Sequence, residues 1–237
     1  MIIDEEVTED WQAWLAYPEQ RWVFNKLEVS DRLGYHCGPA GVPIEKKGYY
    51  VVRPIYNLYG MGIGSHKVYL DPEKNHDDMI EHKFIPPGYF WCEWKDGAHF
   101  SIDYKKVKGK WVSFSQMVGM HSSDDNLVKF KSWKVVNPTQ IIINLPDWVQ
   151  ELETENYLNI ETKGHDITEI HLRSGNDNIW DYKPNTMVYP IWKGDDYSDY
   201  EKSGMKFVGN MHPESFKYSA DNHLSDVRLG YYVDEKV

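Results

Sequence analysis

Two short alternating segments constrain the fold of this chain most strongly. Residues 157–161 and 167–173 each alternate apolar with polar side chains, and a turn containing Gly164 joins them. A period of two predicts strands, and the short connection predicts that they pair as an antiparallel hairpin. Four ionisable side chains can then share one face of the hairpin: Glu161, Glu169, His171 and Arg173.

The pair Glu161 and Glu169 has two interpretations. The two carboxylates can form the solvent face of an amphipathic hairpin, or they can bind a divalent cation. Neighbouring like charges repel one another when no cation lies between them, so the pattern favours a metal site. His171 is either a third ligand or a structural histidine.

The amino-terminal part of the chain, over residues 5–35, is predicted to be mainly helical. An apolar stripe at helical spacing comprises Trp11, Trp14 and Leu15. Pro18 is expected to interrupt this first helix. A second helix is predicted over residues 25–33, ending at Gly34.

Strands and a glycine-rich loop follow. Residues 49–54 are β-branched and aromatic, which predicts a strand that ends at Pro54. Residues 57–65 carry three glycines at alternate positions and predict a mobile loop. Residues 89–93 and 98–104 are predicted to be a pair of strands.

Several polar segments allow only simple predictions. The cluster His76, Asp77, Asp78, Glu81 and His82 is expected to be a solvated loop. A charge-bearing hairpin turn is favoured over a polyanion-binding strip for Lys105, Lys106, Lys108 and Lys110. Asp147 is predicted to cap a short helix. The acidic segment from Gly194 onward has weak periodicity, and its fold is left unassigned.

The composition excludes several classes of protein. Fifteen per cent of the 237 residues are aromatic, which argues against a disordered chain. With 26 basic and 37 acidic residues, the net charge is -11, and nucleic-acid binding is therefore not expected outside a local basic groove.

No membrane association is expected, because no apolar run approaches the roughly 18 to 20 residues that a membrane helix needs. The acidic amino terminus does not resemble a secretory signal, which predicts a cytoplasmic protein. Cys37 and Cys92 have no Cys-x-x-Cys spacing, so neither a disulfide framework nor a cysteine zinc site is predicted.

Four segments occur in an order that resembles the ATP-grasp superfamily. They are Asn25-Lys26-Leu27 with Ala40-Gly41-Val42-Pro43; Val51-Val52-Arg53-Pro54 with the loop from Gly60 to Ser65; Cys92 to Asp103; and Asn159-Ile160-Glu161 with Glu169 to Gly175. Each segment is weak evidence alone, whereas their common order is specific.

The resemblance implies an α+β fold in which two lobes with antiparallel sheets enclose a nucleotide cleft. The whole chain, 1–237, would form one unit. About 25–92 would be the nucleotide-covering lobe, about 93–193 the metal-binding lobe, and 194–237 an acidic tail of unknown fold.

The resemblance also implies roles for individual residues. Nucleotide contacts are expected from Lys26, Arg53, Gly60, Gly62, Gly64, Ser65, Glu93 and His99. Metal contacts are expected from Glu161, Glu169 and His171, and catalytic roles from Arg53 and Arg173. Lys26 can instead be a solvated helix lysine, and Glu93 can be an ion-pair partner of Lys95.

Three positions depart from the family pattern. Arg53 stands where lysine is usual, His99 where an acidic residue is common, and His171 where a metal-binding asparagine is usual. Imidazole is a poorer ligand for Mg²⁺ than an amide oxygen and a better one for Mn²⁺ or Zn²⁺. The family usually carries an additional amino-terminal substrate domain, whereas only about two dozen residues precede Lys26 here. The resemblance is therefore to a compact form, in which substrate recognition is expected from the acidic tail or a protein partner.

The resulting functional hypothesis is an ATP-dependent ligase that uses Mg²⁺, or Mn²⁺, to activate a carboxylate as an acylphosphate. An amine or similar nucleophile would then attack, with small-molecule or peptide substrates as partners. The alternatives are a catalytically degenerate nucleotide-binding or protein-interaction module on the same scaffold, and a structural protein without a ligand.

Overall fold

The computed structural model describes residues 7, 9–58, 62–80, 85–121, 127, 129–154, 157–175, 180–209 and 228–234. The helices are α1 (Asp10–Ala16), the 3-10 helix η1 (Pro18–Phe24), α2 (Lys26–Arg32), α3 (Pro72–Ile80), α4 (Asp147–Gln150) and α5 (Ser198–Lys202). The strands are β1 (Cys37–Pro39), β2 (Gly48–Pro54), β3 (His66–Leu70), β4 (Tyr89–Glu93), β5 (His99–Val107), β6 (Lys110–His121), β7 (Phe130–Val136), β8 (Tyr157–Lys163), β9 (Asp166–His171), β10 (Met187–Trp192), β11 (Lys206–Gly209) and β12 (Arg228–Asp234).

The strands form two sheets. The four-stranded sheet has the order β1-β4-β2-β3, and the eight-stranded sheet has the order β11-β12-β10-β7-β6-β5-β8-β9. All of these pairings are antiparallel. The predicted fold class, α+β with two antiparallel sheets flanking a cleft, is therefore confirmed.

The small sheet packs around aromatic side chains. Trp91 is 2% exposed and its indole N–H donates to the carbonyl of Val42 at 2.8 Å. A Cβ at Gly38 would lie 2.7 Å from the Trp91 ring, so the neighbouring strand can approach this closely only with glycine. As predicted, β2 ends at Pro54.

The large sheet packs with α1, η1 and α2 around a separate core. Its fully buried members include Ile102, Leu158, Ile160 and Leu172. These side chains alternate with polar ones along β5, along β8 and directly after β9. The same strands therefore build the core and present the ionisable groups.

The prediction that residues 89–93 and 98–104 pair with one another is wrong. Strand β4 belongs to the small sheet and β5 to the large one. The connection includes Gly97 at φ +117°, where a Cβ would lie 2.7 Å from the backbone nitrogen of Gly164. This close backbone contact accompanies the passage of the chain from one sheet to the other.

The amino-terminal helices end where the sequence predicts, but α1 buries a different face from its apolar stripe. Helix α1 ends at Ala16, before Pro18, and α2 ends before Gly34. However, Trp11 and Leu15 are 45% and 65% exposed. Asp10 and Ala13 are the buried members of α1 instead, because this helix inserts a carboxylate into a buried polar cluster.

Other segments also differ from the predictions. The described part of the His76 to His82 cluster lies in helix α3, not in a loop; Glu81 and His82 lie outside the described residues. Asp147 is the first residue of α4, and Pro146 holds the cap position. The unassigned segment after Gly194 supplies α5, β11 and β12, and β12 pairs with both β10 and β11.

Lys108 and Gly109 form the predicted turn between β5 and β6, both with positive φ. None of the described helices is long and apolar enough to cross a lipid bilayer.

Candidate functional site

The hairpin of β8 and β9 brings the predicted metal ligands together. Glu161 and Glu169 are directly opposite in the register, and Asn159 is opposite His171. Ligand atoms of Glu161, Glu169 and His171 all lie within 4.8 Å of one another. The alternation predicted from the sequence thus assembles two carboxylates and one imidazole at one point of the large sheet.

The electrostatics of this centre favour charged carboxylates. Burial alone would raise the pKa of Glu161, but His99, His171 and Lys26 lower it to about 2. For Glu169, burial also acts to raise the pKa, and the nearby charges of Lys26 and His171 lower it below the usual range. Both groups therefore remain acceptors at neutral pH.

Lys26, which the sequence predicts to contact the nucleotide, forms an ion pair with Glu169 of this centre. It is the first residue of α2, whose cap Asn25 accepts a hydrogen bond from the Glu28 amide at 3.0 Å. Its side chain is buried and its ammonium group donates to Glu169. The alternative of a solvated helix lysine is therefore wrong.

Arg53 connects the small sheet to β9. Its Nη2 donates to the carbonyl of Thr168 at 2.9 Å, and its guanidinium lies 5.3 Å from the centre of the Phe90 ring. Its Nε is buried without a hydrogen-bond partner among the described residues. One donor of this arginine is thus available beside the strand that carries Glu169.

Asp10 is the main residue that the sequence reasoning missed. Its carboxylate is 2% exposed and accepts from Arg173 Nε at 2.8 Å and from Arg173 Nη2 at 3.3 Å. Both carboxylate oxygens also lie 3.0 Å from His171 Nδ1. Its position on the buried face of α1, three residues before Ala13 and four before Trp14, is the signal that could have revealed it.

A second missed group holds the turn that follows Arg173. The buried carboxylate of Asp103 accepts from the Gly175 amide at 2.7 Å, from Asn159 Nδ2 at 2.9 Å and from Trp180 Nε1 at 2.7 Å. Burial nevertheless raises the pKa of Asp103 above its usual value. This network fixes the chain immediately after the arginine.

His99 lies beside the carboxylate centre. Its Nε2 is 3.3 Å from Glu161 Oε2, although the geometry does not form a hydrogen bond. Its ring packs against Phe130, His121 and Trp133. The His99 ring thus packs among aromatic side chains while its Nε2 faces Glu161.

Glu93 and the described part of the glycine loop make local contacts. Glu93 accepts from Lys95 at 2.7 Å, so the ion-pair alternative for Glu93 is confirmed. Gly62 and Gly64 have positive φ, and the Ser65 amide donates to the Gly62 carbonyl at 2.9 Å. Gly60 lies outside the described residues.

A small cavity adjoins the carboxylate centre. Its lining comes from α1, η1, α2, the segment after β2, and β9. Among the described residues these are Asp10, Val23, Phe24, Lys26, Val29, Asn57, Thr168, Glu169, Ile170 and His171. The backbone amide of Lys26 also donates to the Ile55 carbonyl at 2.9 Å, which fixes α2 against the end of β2.

The two antiparallel sheets, with the carboxylate hairpin at the edge of the larger sheet, have the arrangement of the ATP-grasp fold. Comparison with solved structures shows this fold directly. N5-carboxyaminoimidazole synthetase from Staphylococcus aureus, complexed with ADP, superposes with a TM-score of 0.61 at 11% identity, covering 92% of this chain and 68% of that chain. An ADP complex of an N5-carboxyaminoimidazole ribonucleotide synthetase gives 0.50 at 13% identity, with the same two coverages.

An L-amino acid ligase from Bacillus licheniformis gives a TM-score of 0.45 at 12% identity, covering 72% of this chain and 54% of that chain. The chain therefore spans about half to two thirds of the length of these structures. At such identities the similarity shows the fold. No family model and no curated protein matches the sequence.

Proposed function

We propose that the chain is an ATP-dependent ligase that activates a carboxylate as an acylphosphate for attack by an amine or similar nucleophile. The observation that carries the proposal is the convergence of Glu161, Glu169, His171 and Lys26 in the cleft of an ATP-grasp fold. The nucleotide bound in the Staphylococcus aureus synthetase, which has the same fold, supports ATP as the co-substrate.

The residues of the centre fit a divalent cation. Two ionised carboxylates face each other, and the nearby imidazole nitrogen His171 Nε2 lies 3.9 Å from Glu161 and 3.8 Å from Glu169. Oxygen ligands suit Mg²⁺, and the imidazole also suits Mn²⁺. When bound, the cation would neutralise phosphate charge, and Glu161, Glu169 and His171 would hold it.

Lys26 would bind the phosphates of the nucleotide. In the structure its ammonium group pairs with Glu169. A polyphosphate offers a stronger anionic partner for this ammonium group, and a cation offers a stronger partner for Glu169, so both groups can exchange partners when nucleotide and metal bind together. Arg53, with its free Nε, would supply the second positive group.

The remaining sequence-predicted residues have proposed roles in binding. Gly60, Gly62 and Gly64 would present backbone amides to the phosphates, and Ser65 its hydroxyl group. Glu93 would approach the adenine amino group, and His99 would approach the ribose. A carboxylate oxygen of the substrate attacks the γ-phosphorus and ADP leaves. The nucleophile then attacks the acyl carbon and inorganic phosphate leaves, without a covalent protein intermediate.

The test is a thermal-unfolding titration with a non-hydrolysable ATP analogue in the presence of Mg²⁺ or Mn²⁺. Ligand at 100 times its dissociation constant should stabilise the native state by about 2.7 kcal/mol. The Glu161→Gln/Glu169→Gln variant should lose the metal-dependent part of this shift. The control, Glu19→Gln/Glu151→Gln, removes two exposed carboxylates and should keep the shift. No shift in the unmodified protein with either metal would refute nucleotide binding.

A second candidate function is a catalytically degenerate nucleotide-binding module. It is favoured by the ion pair between Arg173 and Asp10. An arginine held by a buried carboxylate of its own chain is not free to bind a substrate carboxylate. ADP release measured across a panel of carboxylates and amines separates the two functions. Substrate-dependent ADP release supports the ligase, whereas nucleotide binding without ADP release supports the degenerate module.

A further inference from the structure

The carboxylate of Asp10 fixes the orientation of the His171 ring. Both of its oxygens lie 3.0 Å from His171 Nδ1, at a site where the carboxylate is 2% exposed. An ionised carboxylate can only accept hydrogen bonds, so the contact requires a proton on Nδ1. The ring then turns its other nitrogen, Nε2, toward the two glutamates.

Arg173 keeps Asp10 in this role. The Arg173 guanidinium lies 2.8 Å from the buried Asp10 carboxylate and supplies it with an opposite charge. The guanidinium also fixes the carboxylate through two hydrogen bonds, from Nε and Nη2. Asp10 therefore stays ionised and immobile beside the imidazole.

A second side chain points to a ligand at the same place. His99 is 8% exposed, and its Nε2 lies 3.3 Å from Glu161 Oε2 without forming a hydrogen bond in the part of the chain that the structure describes. Two imidazole nitrogens from different strands thus face the glutamates, and that of His99 is buried without a hydrogen-bond partner among the described residues. A buried polar atom in this state needs a partner.

We propose that Asp10 is a positioning residue that presents His171 Nε2 as a metal ligand, so that the centre takes Mn²⁺ or another transition ion in preference to Mg²⁺. A carboxylate that accepts from the distal nitrogen of a ligating histidine fixes its tautomer and increases its basicity. Imidazole favours Mn²⁺ and later ions over Mg²⁺. The inference concerns the metal centre of the proposed function, but it does not require ATP turnover.

The first experiment measures Mn²⁺ binding by electron paramagnetic resonance, with and without ADP. The unmodified protein should bind Mn²⁺, and the spin-echo modulation should show coupling to nitrogen that changes on ¹⁵N labelling of histidine. Asp10→Asn should weaken Mn²⁺ binding by about 10-fold, and Asp10→Ala by up to about 100-fold, with loss of the nitrogen coupling. Asp31→Asn removes an exposed carboxylate of α2 with the same change in charge and should match the unmodified protein.

A second experiment does not depend on the stability of the Asp10 variants. In histidine-labelled protein, ¹⁵N chemical shifts with Zn²⁺ alone should show a proton on His171 Nδ1 and metal on Nε2. His171→Asn identifies the resonance and places an amide oxygen at the centre. This variant should lose the coupling to the His171 nitrogen and lower the ratio of Mn²⁺ to Mg²⁺ affinity by about 10-fold.

The outcomes separate this inference from the proposed function. No Mn²⁺ binding, no nitrogen coupling, a proton on Nε2, or unchanged Mn²⁺ affinity and coupling in a folded Asp10→Asn variant would each overturn the inference. None of these results bears on whether the chain binds nucleotide with Mg²⁺, because the thermal titration measures that separately. The expected Mn²⁺ coupling in nucleotide-free protein would support the inference even if ADP release is never observed.

Discussion

Lys26 and Glu169 are 143 residues apart in the chain and form an ion pair in which both side chains are largely buried. Breaking a buried ion pair from one side leaves an uncompensated charge. We expect Lys26→Met to lower the free energy of unfolding by about 3 to 5 kcal/mol. Urea denaturation of the ligand-free protein measures this.

The control for the Lys26 prediction is the double variant Lys26→Met/Glu169→Leu, which replaces both charges with apolar groups. Its loss of stability should be well below the sum of the two single losses, because neither member of this pair is left buried without the other. Strictly additive losses would show that the two groups do not interact energetically.

Acidification should destabilise the protein through Glu161. Its pKa is lowered from 4.5 to about 2 in the folded state, so its contribution to stability is complete above pH 4.5 and is lost as the pH falls toward 2. We expect the free energy of unfolding, measured by denaturation at a series of pH values, to fall less steeply with decreasing pH for Glu161→Gln than for the unmodified protein. Glu19→Gln, which changes an exposed carboxyl group, should decline as the unmodified protein does; equal slopes for all three proteins would contradict the prediction.

The network around Asp103 should contribute strongly to stability. Asp103→Asn replaces one acceptor oxygen with a donor that faces Gly175 N, Asn159 Nδ2 or Trp180 Nε1. We expect a loss of about 2 to 4 kcal/mol in the free energy of unfolding, since hydrogen bonds to a charged acceptor contribute about 1.5 to 3 kcal/mol each. Trp180→Phe removes a single donor and should cost less; a larger loss for Trp180→Phe than for Asp103→Asn would argue that ring packing dominates.

The connection between the sheets should not tolerate a side chain at Gly97. At φ +117° an alanine is strained, and its Cβ would lie 2.7 Å from the Gly164 backbone nitrogen. Gly97→Ala should lower the free energy of unfolding by about 1 to 3 kcal/mol. Gly109→Ala tests the effect of positive φ alone, because a Cβ there meets nothing within 4 Å, and calorimetry should show a smaller loss for it.

Local patterns predicted the elements that depend on near neighbours in sequence. The hairpin of β8 and β9 follows from alternation and a glycine turn, and α2 follows from apolar spacing between Asn25 and Gly34. The three potential metal ligands share one place because the strand period fixes their direction. The order of four motifs also predicted the fold class.

Long-range contacts were not predictable in this way. Trp11 and Leu15 indicated the wrong face of α1, because the burial of that helix is decided by the attraction of Arg173 and His171 for Asp10. The passage from β4 in one sheet to β5 in the other is accompanied by a close backbone contact between Gly97 and Gly164. Neither relationship produces a periodic signal in the sequence.

The distance along the chain between Asp10 and its two partners has a consequence for synthesis. The ribosome adds about 5 to 20 residues per second, so roughly 8 to 32 s pass between the addition of Asp10 and that of His171, 161 residues later. During that time Asp10 lacks the His171 imidazole and the Arg173 guanidinium that it contacts in the folded protein. The centre between the glutamates is therefore completed late in translation, after the small sheet that faces it has been made.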